Sequence, residues 1–107
     1  MLSIIISTFN RVKELENSLN YVSKQSFDDY EILIVDQNEN LPGIQDISRK
    51  FPKVRYFKLG KNFGPAVGRN FAVNQSKGEH LLFLDDDAYL VDETTIEKTL
   101  NFYLNNN

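Results

Sequence analysis

Glu31-Ile32-Leu33-Ile34-Val35 is almost continuously apolar. A strand with one wet face alternates apolar and polar residues, so an unbroken short run marks a strand covered on both faces, as in the middle of a parallel sheet. Upstream, Leu2 to Ser7 is a second β-branched run. Between the two, Val12, Leu15, Leu19 and Val22 keep to one helical stripe, with Asn10 placed as its N-cap. Downstream, a short helix turns Ile44, Ile47 and Phe51 inward and stops at Pro52, and a third strand spans about Val54 to Leu59. Pro65, after Gly60-Lys61-Asn62-Phe63-Gly64, is preset for the first turn of a helix reaching about Gln75, closed by Ser76-Lys77-Gly78. A fourth strand, His80-Leu81-Leu82-Phe83-Leu84, runs straight into Asp85-Asp86-Asp87. A last helix opens with a capping box, Thr94 and Glu97, and carries Ile96, Leu100, Tyr103 and Leu104. Strands alternating with helices predict an α/β fold, three layers with helices on both faces of a mostly parallel sheet.

The 107 residues suit one domain, residues 1–107, and a composition of 41% hydrophobic and 25% charged residues is that of an ordinary globular protein. Fifteen acids against twelve bases give a net charge of -3, which argues against nucleic acid as a partner. With no cysteine and one histidine, disulfides and thiolate chemistry are excluded, and any metal would be held mainly by oxygen, favouring Mg2+ or Mn2+ over Zn2+. The opening Met1-Leu2-Ser3-Ile4-Ile5-Ile6 lacks a basic leader, and no apolar run has membrane-spanning length. A cytoplasmic location is expected, including a peripheral place at the inner face of the membrane.

In an open parallel sheet, ligands bind beyond the carboxyl ends of the strands, where the strand order reverses. That rule selects Thr8-Phe9-Asn10-Arg11 after the first strand, Asp36 after the second and Asp85-Asp86-Asp87 after the fourth. They meet in one crevice if the order is 3-2-1-4. Adjacent carboxylates repel, and a divalent cation removes that cost. Alternate residues leaving an extended strand point the same way, so Asp85 and Asp87 are expected to address one ion while Asp86 points elsewhere. A hard cation held by two carboxylates keeps positions open for water and substrate phosphates. Asp36 suits a base edge or a ribose hydroxyl, although Asp is also a common turn residue. Arg11 and Arg69 suit oxyanions by their fork geometry. Most of the aromatic side chains fall on the apolar stripes, and Phe9 is set apart as the exception. His80 precedes its strand, on the wrong side of the sheet for chemistry, and is assigned a structural role.

These segments resemble the GT-A fold glycosyltransferases of family 2 over nearly the whole chain. Ser3 to Arg11 looks like that family's opening strand, Tyr30 to Asp36 like its second, and Asn62-Phe63-Gly64 through Gly68-Arg69-Asn70 and Lys77-Gly78-Glu79 to Asp87 like the stretch ending in its metal-binding DxD. The resemblance implies a Rossmann-like nucleotide-diphospho-sugar half and an inverting transfer from a UDP- or dTDP-sugar to an acceptor glycan or lipid-linked sugar, as in bacterial polysaccharide biosynthesis. By position, Thr8, Phe9, Arg11, Asp36, Arg69 and Asp86 belong to the nucleotide pocket and Asp85 and Asp87 to the metal, Mn2+ or Mg2+. It also implies that the general base and the acceptor half lie beyond Asn107. The chain is then expected to bind donor without efficient transfer, and to leave a sheet edge and apolar surface uncovered, so that it self-associates.

Two positions depart from the family pattern: Gln37 stands where a second acid is usual, and Asn38-Glu39-Asn40 replaces the Gly-Ser turn. The rival readings are a non-catalytic nucleotide-sugar-binding module and a sugar nucleotidyltransferase, whose glycine-rich basic loop is missing here. A phosphoacceptor receiver domain needs acids where Thr8 to Arg11 stand.

Overall fold

The computed structural model describes residues 1–106, so the last residue of the expected unit lies outside them. Its order is β1 (Leu2–Thr8), α1 (Val12–Ser23), β2 (Tyr30–Asp36), α2 (Ile44–Ser48), β3 (Val54–Lys58), α3 (Pro65–Gln75), β4 (His80–Phe83) and α4 (Thr95–Asn105). The four strands form one sheet in the order β3-β2-β1-β4, every pair parallel. Apolar side chains leave both faces of the central strands. Ile4, Ile6, Ile32 and Ile34 pack with Leu15, Leu19 and Val22 of α1, Ile44 and Ile47 of α2 and Ile96 of α4. Ile5, Leu33 and Val35 point the other way and pack with Ala72 of α3. Three layers result, and the unbroken apolar run of β2 is explained by burial on both sides.

Three local expectations fail for definable reasons. Asn10 does not cap α1; it adopts φ 58°, a left-handed turn that asparagine tolerates better than most residues, and Arg11 takes the cap position without a side-chain cap bond. Thr94 and Glu97 form no capping box: Thr94 Oγ1 donates to Asp92 Oδ1 and Glu97 accepts from Ser26 Oγ, so nearby partners outcompete the helix end. The α4 stripe reaches the core only through Ile96, leaving Tyr103 and Leu104 half exposed. Beside it β4 is a sheet edge, with Leu81 and Phe83 at 39% and 44% exposure, the uncovered apolar surface that was expected.

At the amino ends of the strands, Glu31 ties four segments together. It accepts from Ser3 Oγ at 2.6 Å, the Lys77 backbone N–H at 2.7 Å and Arg55 Nη1 at 2.9 Å. Burial pushes its carboxyl upward, but the bonds from Ser3, Lys77 and Arg55 outweigh that and hold it below the ordinary carboxylate range. A lowered folded-state value contributes stability that is full above the unfolded value and disappears as pH falls through the folded one. Glu31→Gln is therefore expected to cost about 2 kcal/mol at neutral pH, with the deficit shrinking below about pH 4; urea unfolding at several pH values measures it. A deficit independent of pH would show that the charge is not what matters.

Candidate functional site

The carboxyl ends of β1 and β4 lie side by side, because the two strands pair from Leu2↔His80 to Ile5↔Phe83. The turn at Asn10 is held by Asn38, whose Oδ1 accepts the Asn10 backbone N–H at 2.8 Å. It carries Arg11 across to the loop after β4. There Arg11 Nη1 donates to Asp87 Oδ2 at 2.9 Å, and its Nε lies 3.5 Å from Asp86 Oδ1. Thr8 Oγ1 donates to Asp86 Oδ2 at 3.0 Å. From the other side Arg69 of α3 approaches Asp85 Oδ1 at 3.5 Å. Ser18 of α1 holds the acidic loop itself, its hydroxyl donating to the Ala88 carbonyl at 2.8 Å. The result is a polar cleft of about 280 Å³ whose walls include Arg11, Arg69, Pro65, Ser7 and Asp85 to Asp87.

All three aspartates thus face one cleft, and the expectation that Asp86 points elsewhere is corrected. The period-two argument needs extended backbone; the strand stops at Phe83, and Asp86 and Asp87 already lie in a turn. Burial pushes Asp86 above the ordinary aspartate range, against the lowering by Thr8, the Phe9 backbone N–H and Arg11. Asp85 and Asp87 are its more open neighbours, at 76% and 49% side-chain exposure.

The other sequence-selected residues stand just outside the cleft walls. Phe9 is 42% exposed, whereas Thr8 and Asp36 are buried. Asp36 is fastened: Oδ1 accepts from the Asn38 backbone N–H at 2.9 Å and its side-chain amide at 2.8 Å, and Oδ2 accepts from Tyr56 Oη at 2.6 Å. A carboxylate has about four acceptor directions, so one on Oδ2 remains. Burial, then the bond and charge of Asp36, raise the Tyr56 phenol well above its usual value and keep it a donor.

Sequence reasoning did not single out Tyr56, Asn38, Ser18 or Ser7 as site-building residues, since each works through a partner distant in the chain. Gln37 stood out only as a departure from a pattern. A larger concavity of about 380 Å³ between β4 and α4 includes Leu2, Leu82, Ile96, Leu100 and Tyr103 in its lining, and His80 sits there edge-on to Tyr103. It lies at the amino ends of the strands, away from the converging charges.

An oxygen donor set suits a hard cation. Among the described residues no three metal-ligating side chains surround one point, so the protein offers at most the two open carboxylates of Asp85 and Asp87. That arrangement fits Mg2+ or Mn2+ completed by phosphate oxygens and water, as such ions are usually bound. It does not fit a metal caged by protein alone.

Residues 3–107 match a family model described as glycosyl transferase family 2. A GalNAc(5)-diNAcBac-PP-undecaprenol beta-1,3-glucosyltransferase of Campylobacter jejuni is 35% identical over 84% of this chain and 30% of its own length. The 1–349 portion of S. aureus TarS, solved in complex with UDP-GlcNAc, superposes with a TM-score of 0.84 at 29% identity over 97% of this chain and 31% of that one. A mannosyltransferase from Pyrobaculum calidifontis, solved with GDP-Man and Mn2+, superposes at 0.83 with 20% identity, over 92% and 31% of the two chains, a likeness of fold. The chain spans 30% of the Campylobacter protein, 31% of the mannosyltransferase chain and 19% of the longer TarS chain. The parallel sheet in the order 3-2-1-4 is the Rossmann-like arrangement of the GT-A fold. Among the described residues no helix is long and apolar enough to cross a membrane.

Proposed function

The chain belongs to glycosyl transferase family 2, and from that premise we propose that it is the nucleotide-sugar-binding part of an inverting, metal-dependent glycosyltransferase. The observation that carries the reading is the strand-end cleft, where two arginines face three aspartates between β1, α3 and the loop after β4. Asp85 and Asp87 hold Mn2+ or Mg2+ as the DxD pair. When bound, the cation supplies Lewis-acid stabilisation of the charge that develops on the leaving diphosphate. Arg11 and Arg69 turn from their aspartates toward the phosphates, for which the guanidinium fork is suited. Thr8 keeps Asp86 in place beneath them, and Phe9 gives the base an exposed face to stack on. Asp36 receives one base or ribose donor on its remaining Oδ2 direction, held in aim by Tyr56 and Asn38.

Inverting transfer also needs a base for the acceptor hydroxyl. In this reading Asp85 and Asp87 are taken up by the cation and Asp86 is held by Thr8 Oγ1 at 3.0 Å, so none of the three is assigned as that base. For this chain alone the reading is donor binding without efficient transfer. The UDP-GlcNAc held by the TarS structure and the undecaprenol-linked substrate in the Campylobacter relative's name support a UDP- or dTDP-sugar donor and a glycan or lipid-linked acceptor near the membrane.

Calorimetric titration with UDP and dTDP, in Mn2+ and then in EDTA, tests the reading. Binding in Mn2+ that weakens at least about tenfold in EDTA is expected; no binding of either nucleotide, or affinity indifferent to metal, overturns it. Turnover of a UDP-sugar separates a transferase from a non-catalytic binding module.

A further inference from the structure

Gln37 follows Asp36 at the end of β2, is 2% exposed, and bonds through both atoms of its amide. Its Nε2 donates to Ser7 Oγ at 2.7 Å and to the Gly64 carbonyl at 2.8 Å, while its Oε1 accepts the Phe63 backbone N–H at 2.8 Å. Phe63 and Gly64 end the loop that leads into α3. Its other bonds are to near neighbours, the Gly64 N–H donating to Asn62 Oδ1 at 3.0 Å, and around Gly60 and Gly64, with φ of 75° and 91°, a Cβ would meet nothing within 4 Å. The helix it starts lies hard against the same amide. A Cβ on Gly68 would come within 2.6 Å of Ser7 Oγ and 2.7 Å of Gln37 Nε2. The next residue is Arg69, which faces Asp85 across the cleft.

The polarity of the contacts selects the side chain. The Gly64 carbonyl can only accept and the Phe63 N–H can only donate, so position 37 must both give and take a hydrogen bond. An amide does this. Glutamate of the same shape would still accept from Phe63 but would set an anionic oxygen against the Gly64 carbonyl, and methionine would serve neither.

We propose that Gln37 is a positioning residue of the nucleotide site, whose amide anchors the entry of α3 and thereby sets Arg69 opposite Asp85. The proposal rests on reading the cleft as the donor site, and it assigns no contact between Gln37 and ligand. Anchoring the loop by one buried amide fixes the backbone that carries Arg69 before the diphosphate arrives, so that only the side chain has to turn on binding and less ordering remains to be done.

The test combines amide hydrogen exchange with UDP affinity in Mn2+ for the unmodified chain, Gln37→Met, Gln37→Glu, Arg69→Ala and the Gln37→Met, Arg69→Ala pair. Gln37→Met is expected to speed exchange at Phe63 at least about tenfold, as a buried bond is lost, with exchange at Ile34 unchanged as the control for folding. It should weaken UDP about tenfold, and the double variant should be no weaker than Arg69→Ala by more than about twofold, because the two residues act in series. Gln37→Glu should keep Phe63 protected and still lose affinity. Additive losses in the double variant overturn the proposal, as does full affinity in Gln37→Glu. If the unmodified chain binds no UDP, the donor-site reading fails and this role with it; exchange at Phe63 then reports only whether the amide holds the loop.

Discussion

Replacing Asp85 and Asp87 together by alanine is expected to weaken Mn2+-dependent UDP binding by at least about 100-fold, since even partners one bond removed from a metal are worth 10 to 100-fold. Among the described residues the cleft offers these two open carboxylates, while the third, Asp86, is tied to Thr8 and Arg11. The second arm is sharper. In EDTA the same variant should bind UDP as well as the unmodified chain or a few-fold better, because Arg69 loses the anion it faces at 3.5 Å and Arg11 loses the nearer of its two, at 2.9 Å, keeping only Asp86, so both guanidinium groups are freer for the diphosphate. A crossover, with metal-dependent affinity lost and metal-free affinity kept, separates metal binding at the DxD from a site in which arginines alone hold the phosphates. Equal losses in both conditions would mean that the carboxylates only build the cleft. The fold should survive, because both pairs are at least two-fifths exposed on each side and such ion pairs contribute little.

Elements whose identity depends on short-range pattern were legible: the unbroken run of β2, the Val12-Leu15-Leu19-Val22 stripe of α1, and Pro65 opening α3. The strand order followed from requiring Thr8 and Asp85 to share one crevice, a functional argument with a topological answer. What failed depends on partners brought together by folding. Asn10 carries the usual chemistry of a cap, but its backbone N–H is claimed by Asn38 and the chain turns left-handed there. The α4 stripe looks like a buried face, yet β4 beside it is an edge and offers only partial cover. At the site, Arg11 and the aspartates announced themselves because strand ends are local features. Gln37 and Ser18 did not, because their bonds to Phe63 and Ala88 span 26 and 70 residues, and no local composition signals a buried amide or hydroxyl holding a distant loop.

Gly78 shows the same gap between signal and cause, and Gly78→Ala is expected to destabilise the fold by about 3 kcal/mol. In the sequence, glycine after Ser76-Lys77 reads as a helix stop. Among the described glycines the positive φ values belong to Gly43, Gly60 and Gly64, so backbone freedom is not what position 78 requires. It requires room. A Cβ there would lie 2.6 Å from both the backbone nitrogen and Oγ of Ser3 and 2.8 Å from the Met1 carbonyl. β1 cannot retreat, since it pairs with β2 on one side and β4 on the other. The loop before β4 must move instead, giving up the bonds from Lys77 N–H to Glu31, Gly78 N–H to Ser3 Oγ and Glu79 N–H to the Met1 carbonyl. At about 1 kcal/mol for each, the loss is a large part of the 5–15 kcal/mol that holds a typical domain together. Gly60→Ala is the control: its φ is 75° with open space around it, so it should cost only the left-handed backbone penalty, roughly 1–2 kcal/mol. Urea unfolding compares them, and a Gly78→Ala loss no greater than that of Gly60→Ala would mean that the start of β4 yields freely. Because β4 has only four residues between that loop and the cleft, a genuine displacement at Gly78 should also lower UDP affinity in Mn2+. Loss of stability with unchanged affinity would show that the acidic loop is held in place by Ser18 and Arg11 rather than by its strand.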